Sequence, residues 1–160
     1  MKRVRTEAFL PHPPMRVWDV LADFERYAEW NPLTLRARGR AALGAKVPMT
    51  FLNPNRPGAT IDQVVTVVEC RPGESLAWIG WVPLLFRGRH FFELAPEGGG
   101  TRLRHGEDLS GIIPMTIGRD RIADRFVPAY AALNSALARR LEALPPDSFA
   151  SGGAGARGTP

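Results

Sequence analysis

The sequence predicts an α+β domain: a curved antiparallel sheet of six to seven strands wrapped around one long C-terminal helix, with two short helices after the first strand. Three observations predict it. Short segments of alternating apolar and polar residues recur along the chain, separated by Gly and Pro turn signals. Two segments directly after the first of them switch to a spacing of three and four. Near the C-terminus, Ile122, Phe126, Tyr130, Leu133, Leu137, Leu141 and Leu144 recur at three and four, which places them on one helix face.

The elements follow in order. From Lys2 to Leu10, Val4, Thr6, Ala8 and Leu10 fall on one side of a strand. His12-Pro13-Pro14 breaks it, and Pro14 suits the first turn of a helix carrying Val17, Trp18, Leu21 and Ala22 on one face. Asp23 to Trp30 reads as a second short helix that ends at Asn31-Pro32, because a residue before proline avoids helical angles. Strands are then predicted over Leu33–Ala41, Lys46–Leu52, Ile61–Cys70, Glu74–Val82, Leu85–Leu94 and Thr101–Leu109. Between them, residues 53–58 and Arg71-Pro72-Gly73 are turns by composition, and Glu97 to Gly100 is a hairpin tip. The closing helix contains Pro128, which predicts a kink or break there.

The chain has 160 residues and suits one domain over residues 1–144. Residues 145–160 are rich in Gly, Ala and Ser and read as a disordered tail. One cysteine, Cys70, rules out an intrachain disulfide and reads as a small buried side chain. No apolar run approaches the roughly 18 residues of a membrane span. No long apolar stretch follows the charges of the first ten residues, so no secretory leader is expected. A cytoplasmic location follows by elimination.

Net charge is +5, and the arginines are scattered as Arg36, Arg38 and Arg40, then Arg87 and Arg89, then Arg102 and Arg104. Their alternate spacing places each set on one strand face, read as a solvated outer surface. No recognition motif accompanies the charge, so no specific nucleic-acid partner is expected.

One amphipathic helix covers a curved sheet only in part, and the gap becomes a cavity unless large side chains fill it. Candidate lining residues are Trp30, Phe51, Trp78, Phe86, His90, Phe92, Leu103, Phe126 and Tyr130, together with His105 and Glu107. Trp78 and Trp81 fall on opposite faces of their strand. Residues 53–58 and 82–85 are placed at the entrance. His105 and Glu107 share one strand face, about 6.5–7 Å apart. A carboxylate beside an imidazole holds one tautomer and raises its basicity, the minimum equipment for acid–base work on an enolisable carbonyl. The same pair also reads as a buried polar cluster satisfied by its own hydrogen bonds. His90 is brought close by antiparallel pairing, but adjacent strands give no compact histidine motif, so no metal is assigned. His12, between prolines, is expected to be exposed.

Four motifs in this order resemble the START-related, or SRPBCC, superfamily with its Bet v 1-like helix-grip fold. They are Pro14-x-x-Val17-Trp18-x-Val20-Leu21-x-Asp23, Tyr27-x-x-Trp30-Asn31-Pro32, Phe92-x-Leu94-x-Pro96 with Gly100-Thr101-x-Leu103-x-His105-x-Glu107-x-Leu109-x-Gly111, and Tyr130-x-x-Leu133-Asn134-x-x-Leu137. The resemblance spans roughly Arg3 to Leu144 and is nearest to the polyketide cyclase/dehydrase-like branch. It implies a cavity for a hydrophobic small molecule, and it does not imply one reaction. No motif in the sequence calls for a cofactor, and none is expected. Three readings stay open. The chain is a binding module for an apolar ligand, a cyclase or dehydratase using His105 and Glu107, or an arginine-driven interaction module. A homodimer is compatible with each.

Overall fold

The computed structural model describes residues 1–53, 56, 58–116 and 118–145, with the backbone alone for residues 119–122. Seven strands form one antiparallel sheet: β1 (Lys2–Leu10), β2 (Thr34–Ala37), β3 (Lys46–Leu52), β4 (Thr60–Arg71), β5 (Ser75–Val82), β6 (Phe86–Glu97) and β7 (Gly100–Ser110). Their order is β1-β7-β6-β5-β4-β3-β2. Strands β2 to β7 are thus a meander, and β1 adds to the free edge of β7 with Thr6 opposite His105. The helices α1 (Pro14–Ala22) and α2 (Tyr27–Trp30) link β1 to β2, while α3 (Ile112–Thr116) and α4 (Arg119–Ala143) follow β7. This is the helix-grip α+β architecture.

Helix α1 starts on Pro14 and buries Val17, Trp18, Val20 and Leu21. Asn31 ends α2 and turns the chain into β2, its Oδ1 accepting from the backbone N–H of Leu33 and Thr34 at 2.9 and 2.8 Å. The main core gathers these helices with Leu10, Phe24, Tyr27, Leu76, Trp78, Phe92 and Leu103 beneath Leu133, Leu137 and Leu141 of α4. Burial along α4 is uneven. Residues from Tyr130 onward supply the buried side chains, whereas 123–125, Val127 and Pro128 are exposed. The second half of α4 therefore plugs the sheet, and the first half only roofs it.

Several boundaries differ from the sequence reading. Strand β2 is shorter than Leu33–Ala41, because Gly39 takes φ 126° and turns the chain, leaving Arg38 and Arg40 beyond the strand. Strand β6 runs past Ala95-Pro96 to Glu97. Pro96 is tolerated because β5 pairs only as far as Glu93, so the missing N–H faces an unpartnered edge while Thr101 pairs on the other side. The tip is a two-residue turn, Gly98-Gly99, with both φ positive. Helix α4 continues through Pro128 without a break; that residue lies on its exposed side. Helix α3 was not foreseen. Residues 54, 55, 57 and 146–160, and the side chain of Ile122, lie outside the described residues.

The arginines of β6 and β7, with Arg5 of β1, occupy the outer face. Arg5 and Arg89 cover the Phe91 ring at 4.5 and 5.5 Å and pair with Asp108 (2.5 Å) and Glu69 (2.6 Å). Arg102 and Arg104 pair with Glu97 and Glu93, each at 3.1 Å. No described helix is long and apolar enough to cross a membrane.

Candidate functional site

Beneath the first half of α4 lies a cavity of about 640 Å³. Its walls come from β2 to β7, α3 and α4. Of the residues named from the sequence, Phe51, Trp78, Phe86, His90, Glu107, Phe126 and Tyr130 line it. Trp78 is 3% exposed on the inner face and Trp81 61% exposed, in keeping with the alternation along β5.

Four of the named residues do not line it. Phe92 and Leu103 are sealed in the core at 0% exposure, because they lie where the plugged half of α4 covers the sheet. Trp30 is half buried and packs its ring edge-on against Tyr27, at the side of the core and away from the cavity lining. His105 is also fully buried, one layer behind the cavity, between the stacked rings of Phe92 and Tyr130 at 4.5 and 4.6 Å. His12, expected to be exposed, is half buried, with its Nε2 enclosed and without a hydrogen-bond partner.

The floor has a feature that sequence reasoning missed. Gly80 and Gly88 face each other across β5 and β6 on the inner face. A Cβ on Gly80 would stand 2.5 Å from Gln63 Oε1, and one on Gly88 would strike Glu107 and, at 2.8 Å, the Phe86 ring. The paired glycines leave the space that these longer side chains cross. A glycine in the interior of a strand was the available signal.

The polar end of the cavity is built on β6, β7 and α4. Tyr130 Oη donates to Glu107 Oε2. Burial pushes Glu107 up to about 7; the Tyr130 hydrogen bond opposes this and the nearby charge of Asp108 adds to it. Glu107 is therefore poised between acid and carboxylate near neutral pH. The Tyr130 hydroxyl is held far above its ordinary range by burial and by Glu107. His105 and Glu107 share the inner face, yet each takes its partner from another element rather than from the other.

Behind this pair runs a second set of bonds. His105 Nδ1 meets Asn134 Oδ1 at 2.8 Å, and His105 Nε2 meets His90 Nε2 at 3.0 Å. Asn134 Nδ2 donates to Thr6 Oγ1 at 3.0 Å, and Thr6 Oγ1 donates to the His105 carbonyl at 3.1 Å. Burial lowers both histidines, His105 to about 4 despite hydrogen bonds to Asn134 and the Tyr130 backbone, and His90 well below its ordinary value, with the His105 charge adding to the effect. Both are neutral at pH 7. His90 stacks on Trp78 at 4.7 Å. Asn134 and Thr6 were not among the predicted site residues; the signal was a polar side chain in the apolar stripe, between Leu133 and Leu137. Among the described residues no three His, Cys, Asp or Glu side chains are grouped as metal ligands.

The model of a family described as "Polyketide cyclase / dehydrase and lipid transport" matches residues 1–142. The chain belongs to this family. Its fold is that of the START/Bet v 1-like proteins. A START superfamily protein from Mycobacterium smegmatis superposes with TM-score 0.73 at 16% identity, over 89% of this chain and 98% of that one. A Thermus thermophilus protein gives 0.70 at 20% identity, over 88% and 97%. One from Chromobacterium violaceum gives 0.69 at 21% identity, over 89% and 99%. At these identities the likeness shows the fold. No curated protein matches the chain. Within the polyketide cyclase/dehydrase and lipid-transport family the shared architecture suits a hydrophobic guest, and the cavity described above is where this member has room for one.

Proposed function

We propose that the protein binds an apolar small molecule, ring-bearing or lipid-like, between the sheet and the first half of α4. One observation carries this reading: the cavity of about 640 Å³ is walled largely by aromatic and aliphatic side chains, with Glu107, Tyr130 and His90 together at one end and Thr34, Asp62, Gln63 and Arg125 as the further polar members of its lining. A volume and lining of this kind suit a drug-sized guest that is buried over most of its surface and oriented by few polar contacts. One solved structure of the same fold, at 19% identity and TM-score 0.67, is a protein of the dynemicin biosynthetic locus. Native mass spectrometry of the purified chain, with titration of pyrene as a fluorescent probe, tests the reading. A stoichiometric bound molecule or saturable pyrene binding is expected, weakened by Ala129→Trp, which fills the roof. Neither a retained molecule nor saturable binding would overturn it.

A cyclase or dehydratase is the second reading, and the observation that favours it is Glu107. This carboxyl reaches the cavity with its pKa near 7, the range suited to taking and returning a proton on an enolisable carbonyl. In this reading Glu107 is the acid–base group, Tyr130 positions it, and His105 supports from behind. Glu107→Gln is expected to abolish turnover of a poly-β-keto substrate while leaving pyrene binding intact. Turnover retained by that variant would reject the assignment.

A further inference from the structure

The hydrogen bonds behind the cavity wall have a direction, and the direction reaches the cavity. The contacts to be satisfied are Asn134 with Thr6 (3.0 Å), Thr6 with the His105 carbonyl (3.1 Å), Asn134 with His105 (2.8 Å) and His105 with His90 (3.0 Å). A carbonyl only accepts, so the Thr6 hydroxyl spends its one proton on His105 O. Thr6 Oγ1 must then receive a proton from Asn134, which fixes the amide with Nδ2 toward Thr6 and Oδ1 toward His105. Rotating the amide by half a turn would leave two acceptors, Asn134 Oδ1 and His105 O, competing for one hydroxyl proton.

With Oδ1 toward it, His105 Nδ1 carries the hydrogen. Neutral His105 therefore has a bare Nε2, which accepts from His90 Nε2–H. Neutral His90 is left with a bare Nδ1. That nitrogen makes no hydrogen bond among the described residues, and His90 lines the cavity. The Tyr130 hydroxyl beside it is already committed to Glu107.

We propose that the cavity selects a guest bearing a phenolic or enolic hydroxyl, which donates its hydrogen bond to His90 Nδ1. This rests on the reading that the cavity binds an apolar guest and adds the chemistry that discriminates among such guests. His90 is then the specificity residue, and Thr6 and Asn134 are positioning residues acting through His105. The flat stack of His90 on Trp78 keeps the ring plane fixed.

The experiment compares 1-hydroxypyrene with 1-methoxypyrene, using pyrene as the control for bulk, by fluorescence titration of the full chain. Wild type is expected to favour the hydroxyl compound by about tenfold, as one hydrogen bond to an otherwise unpaired buried acceptor would give. Thr6 lies outside the cavity lining, so Thr6→Val should bring the two affinities together while pyrene affinity stays the same, and His90→Phe should erase the ratio between the two substituted pyrenes whatever it does to pyrene itself. Nitrogen-15 NMR of the wild-type imidazoles supplies a readout that needs no variant: Nε2–H on His90 and Nδ1–H on His105. Equal affinity of wild type for the two substituted pyrenes, or the opposite tautomers, would overturn the selection rule and leave cavity binding standing. Failure of all three probes to bind would overturn the binding reading itself.

Discussion

Tyr130 Oη donates a hydrogen bond to Glu107 Oε2, tying the closing helix to the last strand at the polar end of the cavity. That bond favours the ionised carboxyl and so works against burial. Tyr130→Phe removes it and should raise the Glu107 pKa above its value of about 7. Carbon-13 NMR titration of the glutamate carboxyls checks this. An unmoved midpoint would mean that the hydroxyl does not stabilise the charge.

The pH dependence of stability has two opposing parts. Glu107 keeps its proton to about pH 7 when folded, against an ordinary value of 4.5. Between these values the unfolded chain has released a proton that the folded chain holds, so rising pH destabilises the fold. The full linkage is about 3 kcal/mol, reduced because the half-buried carboxyl meets the cavity. His90 and His105 act in the other direction. Their pKa values lie below 6.5, so the unfolded chain gains protons first as pH falls, and acid destabilises. Glu107→Gln removes the first part alone. The melting temperature of E107Q minus that of wild type should therefore increase between pH 5 and pH 8. A constant difference across that range would contradict the raised pKa.

Asn134→Leu should destabilise by about 1–3 kcal/mol, because the buried His105 Nδ1–H loses its acceptor and Thr6 Oγ1 loses the amide that donates to it. Denaturant unfolding measures it. A cost within about 0.5 kcal/mol would mean that neither group depends on the amide.

The two floor glycines should respond differently to a methyl group. Gly80→Ala presses on the far end of the Gln63 side chain, which can swing away, so a cost under about 1 kcal/mol is expected. Gly88→Ala meets both Glu107 and the Phe86 ring, and a cost of about 1–3 kcal/mol is expected, together with loss of the Tyr130–Glu107 bond. Equal small costs would show that the floor is looser than the packing implies.

Much of the fold was legible because strand alternation and helix periodicity are local. The span Lys46–Leu52 and the placement of Trp78 and Trp81 on opposite faces needed only a period of two. The stripe on α4 was read from its spacing, but spacing does not say which half of the helix meets the sheet. That is why Phe92 and Leu103 were assigned to the lining while they lie in the core. His105 and Glu107 share the inner face, as alternation implies, but each is hydrogen-bonded to α4 and not to the other. Neighbours along a strand stand several ångströms apart, so each is satisfied from β6 or α4, and nothing local encodes the rotation of α4 that brings Tyr130 to one and Asn134 to the other.

At the mouth, the backbone N–H groups of Ile112 and Ile113 donate to the carbonyls of Leu84 and Leu85 at 3.2 and 3.0 Å. The β5–β6 connection and α3 are thus joined main chain to main chain. An opening on that side would break both bonds together, and the exchange rates of those two amides would report it. A substitution that loosens either segment should then raise the exchange of both amides.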